Sequence, residues 1–295
     1  MTDTKNIIDC PNATAPVNIA MNKVTGPCSL LCSYNHKYGI YSPNVTNKKS
    51  YLSLNYSGKT NPVTYNNVNY NVNEIRIYQP SLHKYNGLLA DGEILIIHGG
   101  SGKNLIVSIP FKVGSKTDKG SVQLSSILEE SALRTPNEKE SVTLTLGDFS
   151  LDNFIPHKKP FLSYSGTLPY SPCNGSYSYI VYDITNALNI TNNLSKKLQK
   201  IIQYTSVEIK TANLFYNKQG ANANKSDNAE IYIDCQPVNE EGELLVKENT
   251  SSDNNNSNTI DLSEIEPFLY VIAGICIASG IVYGSRYIFK KMRKE

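Results

Sequence analysis

The sequence predicts a mainly β (α+β) domain with a few short helices, followed by one C-terminal transmembrane helix. Three observations predict this class. Short runs rich in β-branched and aromatic residues recur with turn residues between them, only two stretches space apolar residues as a helix does, and a long apolar run near the end is closed by Lys and Arg. A chain of 295 residues is long enough for one large domain with its own core.

The strands expected, in chain order, are YLSLNY (51–56), EIRIY (74–78), EILIIH (93–98), LIVSIPF (105–111), SVTLTL (141–146), YSYIVYDI (177–184), SVEIK (206–210) and EIYI (230–233). Each alternates or is continuously apolar over the length of a typical strand. SILEESALR (126–134) combines helix formers with a charged face, and LSKKLQKIIQY (194–204) places Leu194, Leu198 and Ile201 at helical intervals. Residues 239–266, with the tract SSDNNNSN, hold too little apolar surface to order themselves and read as an acidic, Asn- and Ser-rich flexible stalk.

Residues 267–289 follow as a single span. The run is apolar from Phe268 to Gly284 and shows no amphipathic face, and Arg286, Lys290, Lys291, Arg293 and Lys294 come after it. Residues 1–238 form the globular domain and 290–295 a basic tip. Charge follows the same division: 1–238 carries +5, 239–285 carries −7 and 286–295 carries +4. Gly274 with Ala278, and Gly280 with Gly284, have the spacing that lets two spanning helices approach, so a homodimer through the span is expected.

The N-terminus lacks a basic start followed by an apolar run, so the sequence predicts a tail-anchored protein whose globe stays on the side where it was made. On that reading the Asn-X-Ser/Thr triplets at Asn12, Asn44, Asn55, Asn174, Asn189, Asn193, Asn224, Asn249 and Asn255 are chance products of an Asn-rich composition. No basic helix or aromatic stacking motif points to nucleic acid. Plentiful Asn, Tyr, Ile and Lys have A/T-rich codons, which points to an A/T-rich genome.

The stretch EIRIYQPSLHKYNGLLADGEILIIH (74–98) reads as two strands joined by a Gly-containing loop, with Arg76, Tyr78, His83, Glu93 and His98 along it. Together with APVNIA (15–20) and YSGTLPYSPCNGSYSYIVYD (164–183), at these separations, it resembles the α-class carbonic anhydrases over most of residues 10–236. The resemblance implies a central twisted, largely antiparallel sheet. It also implies a catalytic site that has been lost. The family's zinc needs a His-x-His on one strand, both rings on the same face, and a third His on the neighbouring strand. Those positions correspond here to Arg76, Tyr78 and Leu95, and none of the four His residues (36, 83, 98 and 157) forms a His-x-His.

The family's hydroxide-orienting Thr corresponds to Pro169 and its Glu partner to Leu82, whereas the carboxylate that orients a zinc His is retained as Glu93. Neither metal nor other cofactor is expected. Arg76 is expected to replace the lost dication by pairing with Glu93 across the two strands. His83 and His98 match structural positions of the family. Cys10 and Cys173 resemble the pair joined by a disulfide in its extracellular members, while Cys28, Cys32 and Cys235 have no assigned partner and Cys276 lies in the span.

An inactive domain of this kind on one C-terminal span resembles the carbonic-anhydrase-like cell-surface-binding envelope proteins of poxviruses. The resemblance implies a large DNA virus as source, a virion membrane location with the globe facing outward, and attachment to a host-surface ligand, with sulfated glycosaminoglycan as the leading candidate. Lys158 and Lys159 in PHKKP, and Lys196, Lys197 and Lys200 on the second helix, are the candidate contacts. The alternatives are a structural protein tethering membrane to capsid through a protein partner and, further off, a working zinc carbonate dehydratase.

Overall fold

The computed structural model describes residues 10–28, 31–204 and 206–223, all within one compact unit that ends at Glu230. A second unit, Ile231–Glu295, lies outside the described residues, as do the predicted strand 230–233, the stalk, the span and the basic tip. Among the described residues no helix is long and apolar enough to cross a membrane.

The unit is built on a twisted, mixed sheet of thirteen strands. Ten of them form one continuous path: β1 (Val24–Pro27), β2 (Asn44–Asn47), β3 (Leu52–Leu54), β4 (Val68–Tyr78), β5 (Gly92–Gly100), β6 (Lys103–Val113), β7 (Ser141–Thr143), β8 (Phe161–Thr167), β9 (Ser176–Tyr182) and β10 (Leu214–Asn217). Their order across the sheet is β7-β2-β3-β4-β5-β6-β9-β8-β10-β1. Most neighbours are antiparallel, but β6 runs parallel to β9 and β10 parallel to β1. Of the central strands, β5 and β6 are nearly continuously apolar, as strands covered on both faces are, whereas β4 alternates apolar and polar residues.

Two helices cover one face. α1 (Lys119–Arg134) begins where the Asp118 carboxylate accepts a hydrogen bond from the Ser121 amide, and it buries Leu124, Ile127 and Leu128. α2 (Asn192–Ile201) is capped by Thr191 and buries Leu194 and Leu198. Between helices and sheet lies a core that includes Ile75, Ile77, Ile94, Ile96, Val107 and Ile109. Alternation sends Tyr78, Leu95, Ile97 and Ile106 to the opposite face, where Val17, Ile19, Leu168, Tyr170 and Tyr179 close over them.

Several sequence expectations are corrected. SVEIK (206–210) is no strand of the sheet: only Ser206 and Lys210 make isolated bridges, that of Lys210 with Val17. The apolar side of that segment, Val207, packs onto the second face without a neighbouring ladder. SVTLTL pairs only over 141–143. α1 starts seven residues before the expected 126, because Gly120, Ser121 and Ser125 dilute the helical pattern while the Asp118 cap sets the true start. β8 was concealed by Ser163, Ser165 and Gly166, which break its apolar alternation.

Candidate functional site

On the second face, β4 and β5 pair antiparallel with Arg76 opposite Leu95 and Tyr78 opposite Glu93. That register puts the three positions assigned to zinc ligands, Arg76, Tyr78 and Leu95, side by side. Tyr78 and Leu95 are buried, and the Arg76 side chain keeps 14% of its surface exposed. The guanidinium lies between two rings, 4.6 Å from the centroid of Tyr51 and 4.4 Å from that of Tyr170. Its Nε and Nη2 each donate to the Glu74 carboxylate at 2.8 Å, and Nη1 reaches the Tyr78 hydroxyl at 3.4 Å. Burial pushes the Tyr78 phenol well above its ordinary pKa, against the pull of Arg76, so it stays protonated.

These side chains do not fit a zinc ion. Arg76 is a fixed cation already neutralised by Glu74, Leu95 has no donor atom, and Tyr78 offers a neutral phenol. Among the described residues no three His, Cys, Asp or Glu side chains converge as a metal would require.

The expected Arg76–Glu93 pair is not formed. Glu93 faces Tyr78 across the ladder, one pleat beyond Arg76, and a closer partner intervenes from the loop between β4 and β5. His83 Nδ1 donates to Glu93 Oε1 at 2.5 Å, Ser108 Oγ donates to the same oxygen, and the Tyr85 hydroxyl stands 3.4 Å away. The amides of Leu82 and His83 donate to Oε2 at 2.8 and 3.1 Å. Burial of this fully enclosed carboxylate would raise its pKa. The His83 interaction, Ser108 and the His83 amide outweigh that and hold it below the ordinary value. His83 Nε2 is bonded to the Tyr164 hydroxyl at 2.6 Å. Arg76 takes Glu74 instead because residues two apart on a strand share a face.

His98 lies past a β-bulge at Ile97/His98 and turns to the helix-covered face. Its Nδ1 donates to the Leu105 carbonyl at 3.3 Å, and its Nε2 accepts from the Tyr38 hydroxyl at 2.9 Å. Leu82 and Pro169, the other altered positions, are buried, and Pro169 precedes the Tyr170 that covers Arg76.

In a comparison with solved structures, dioscorin complexed with ascorbate matches with a TM-score of 0.58 at 19% identity, over 71% of this chain and 87% of that one. An α-carbonic anhydrase of Photobacterium profundum matches with a TM-score of 0.58 at 15% identity, over 70% and 89%. The fold is that of the α-carbonic anhydrases. The Thermovibrio ammonificans α-carbonic anhydrase in complex with the inhibitor sulfanilamide adds a TM-score of 0.56 at 16% identity, over 69% of this chain and 86% of that one. No family model and no curated protein matches the sequence.

Within this α-carbonic-anhydrase-like fold, Cys10 and Cys173 form a disulfide, as the resemblance implied, and Cys28 bonds Cys32, a pairing left open by the sequence. The candidate lysines are not gathered in one place. Lys159 lines a cleft beside the first turn of α1, whereas Lys196, Lys197 and Lys200 stand on the solvent side of α2. Sequence reasoning missed Glu74, Tyr51 and Tyr170 as the partners of Arg76; the period of two along β4 was the signal for Glu74, but nothing local marks the two rings. Of the Asn-X-Ser/Thr triplets, Asn189 is buried, so it is no acceptor in the folded chain, and Asn224, Asn249 and Asn255 lie outside the described residues.

Proposed function

We propose that this chain is a catalytically silent α-carbonic-anhydrase-like protein that is anchored by residues 267–289, displayed on a virion membrane, and binds a host-surface ligand for attachment. The observation that carries the loss of catalysis is the guanidinium of Arg76, seated between Tyr51 and Tyr170 and bonded to Glu74 at the place the resemblance assigns to the first zinc ligand. A filled, charge-neutral site of this kind offers neither a metal nor a water to activate. Anchoring is supported by the apolar run 268–284, and the acidic stalk would hold the domain away from a membrane; outward display rests on the resemblance to the envelope proteins. The +5 charge of residues 1–238 favours an anionic partner, and sulfated glycan is the class proposed.

The test uses the full chain in mild detergent. Metal analysis is expected to find no stoichiometric zinc, and carbon dioxide hydration is expected to stay at the uncatalysed rate. A glycan array run at several salt concentrations is expected to show retention on sulfated glycans that weakens as salt rises. Zinc with hydratase activity would overturn the silent-site reading. Absence of glycan retention would move the proposal to a protein partner within the virion.

A further inference from the structure

A cleft of about 520 Å³ opens between the first turn of α1 and the segment 152–159, and its walls carry Lys116, Lys119, His157 and Lys159 beside Asp118 and Asp152. The volume lies within the roughly 300–1,000 Å³ usual for ligand sites. At first count the two carboxylates nearly cancel the lysines, but both are already committed to internal partners. Asp118 caps α1 by accepting from the Ser121 amide at 2.9 Å and pairs with Lys116 at 3.0 Å. Asp152 accepts from His36 Nδ1 at 2.6 Å and from the Tyr38 amide at 3.1 Å. Burial would raise the pKa of both, yet these bonds hold both below the ordinary value, so both stay ionised: Lys116 offsets Asp118, and Asp152 leaves one negative charge against the remaining lysines.

Lys119 and Lys159 are left over. Both are exposed, and neither has a carboxylate partner among the described residues. The helix end is not the attraction, because Asp118 already satisfies it. The lysines are, and their setting is concave. A charged cleft with protein walls concentrates field that the outer surface of a helix spreads into solvent, which is the situation of Lys196, Lys197 and Lys200 on α2.

We propose that this cleft, through Lys119 and Lys159, is where sulfate groups of a sulfated polysaccharide bind. The proposal rests on the attachment reading above and gives it a place, distant in kind from the filled Arg76 site. Long, flexible ammonium side chains suit sulfate esters, which present point-like charge and need no fixed fork.

The experiment is salt elution of the full-length chain from immobilised heparin, with desulfated heparin as control. The wild type is compared with Lys119→Glu/Lys159→Glu, with the milder Lys119→Ala/Lys159→Ala, and with Lys196→Glu/Lys197→Glu/Lys200→Glu. Thermal unfolding first establishes that each variant is folded. We expect the two cleft variants to elute early, with affinity reduced about tenfold or more for the charge reversal, and the α2 variant to elute with the wild type. Unchanged elution of both cleft variants, with early elution of the α2 variant, would overturn the cleft and leave sulfated-glycan attachment standing. A wild type that is not retained by heparin removes the attachment reading and the cleft proposal with it. Equal retention on desulfated heparin overturns the assignment to sulfate.

Discussion

Replacing His98 with Gln should flatten the acid side of this protein's stability profile. His98 is fully buried, and its Nδ1 faces the Leu105 carbonyl, which can only accept, so in the neutral ring Nε2 is the acceptor for the Tyr38 hydroxyl. Tyr38 in turn stands 3.1 Å from the Tyr34 hydroxyl, so Tyr34 donates to Tyr38, Tyr38 to His98, and His98 Nδ1 to Leu105. A proton on Nε2 would reverse that chain and leave the last tyrosine hydrogen without an acceptor. Burial first, opposed weakly by the Leu105 and Ile96 carbonyls, depresses the pKa of His98 to about 3. The unfolded imidazole titrates near 6.5. Because the folded pKa lies below the unfolded one, the unfolded state binds the proton between them, and stability falls as pH drops below about 6.5 until the folded group titrates. At about 1.4 kcal/mol per pH unit, His98 alone removes roughly 2 kcal/mol between pH 7 and pH 5. With a urea m-value near 2 kcal/mol/M, the midpoint should fall by about 1 M over that interval. Urea unfolding at pH 7, 6 and 5 on wild type and His98→Gln measures it. The variant is less stable at pH 7 through imperfect packing, but its midpoint should change less with pH by that amount. Parallel slopes in the two proteins would refute the assignment.

Three further outcomes follow from the same interactions. Glu93→Gln puts an NH₂ group among donors and leaves His83 without its carboxylate, which should cost about 3–5 kcal/mol in urea unfolding at pH 7. The Glu93 pKa is lowered on folding, so its contribution is present above the unfolded carboxylate pKa and lost as pH falls through the folded one; the gap between the two proteins should therefore narrow in acid. Cys10→Ser/Cys173→Ser opens a loop with a sequence separation of 163, against 4 for Cys28→Ser/Cys32→Ser. On the chain-entropy account the losses are about 5 and about 2 kcal/mol, so calorimetry should place the first variant's Tm clearly below the second's. Arg76→Met keeps the volume between Tyr51 and Tyr170 but strands Glu74, and should cost about 1–3 kcal/mol without creating zinc binding by metal analysis.

The sheet's centre was legible because β5 and β6 are long and strongly apolar and β4 alternates apolar and polar residues. Their alternation also fixed which residues face the second side. What failed were elements whose identity is settled by neighbours. β8 carries two serines and a glycine in its apolar alternation and is a strand because β9 and β10 flank it. SVEIK alternates as a strand should, yet it makes isolated bridges and no continuous ladder. The site shows the same limit. The sequence gives the residues at each position, but the Arg76–Glu93 pairing needed a register one pleat different from the one the strands adopt, and the rings that enclose Arg76 come from positions 51 and 170.

That enclosure bears on how an ionised carboxylate stays fully buried on this face. A buried carboxylate without partners costs several kcal/mol, and on the expected reading Arg76 alone would have had to offset this. Instead Glu93 collects donors from the 82–85 loop and from Ser108 on β6, so it fastens that loop to two central strands. Arg76 is neutralised separately by Glu74. The two charges thus belong to independent, internally satisfied groups, and neither needs the other or a dication to stay buried. The burial of Glu93 is therefore accounted for by the bonds it makes within the fold. A surface elsewhere on the domain, with cations that have no internal partner, is the better place for a ligand to act.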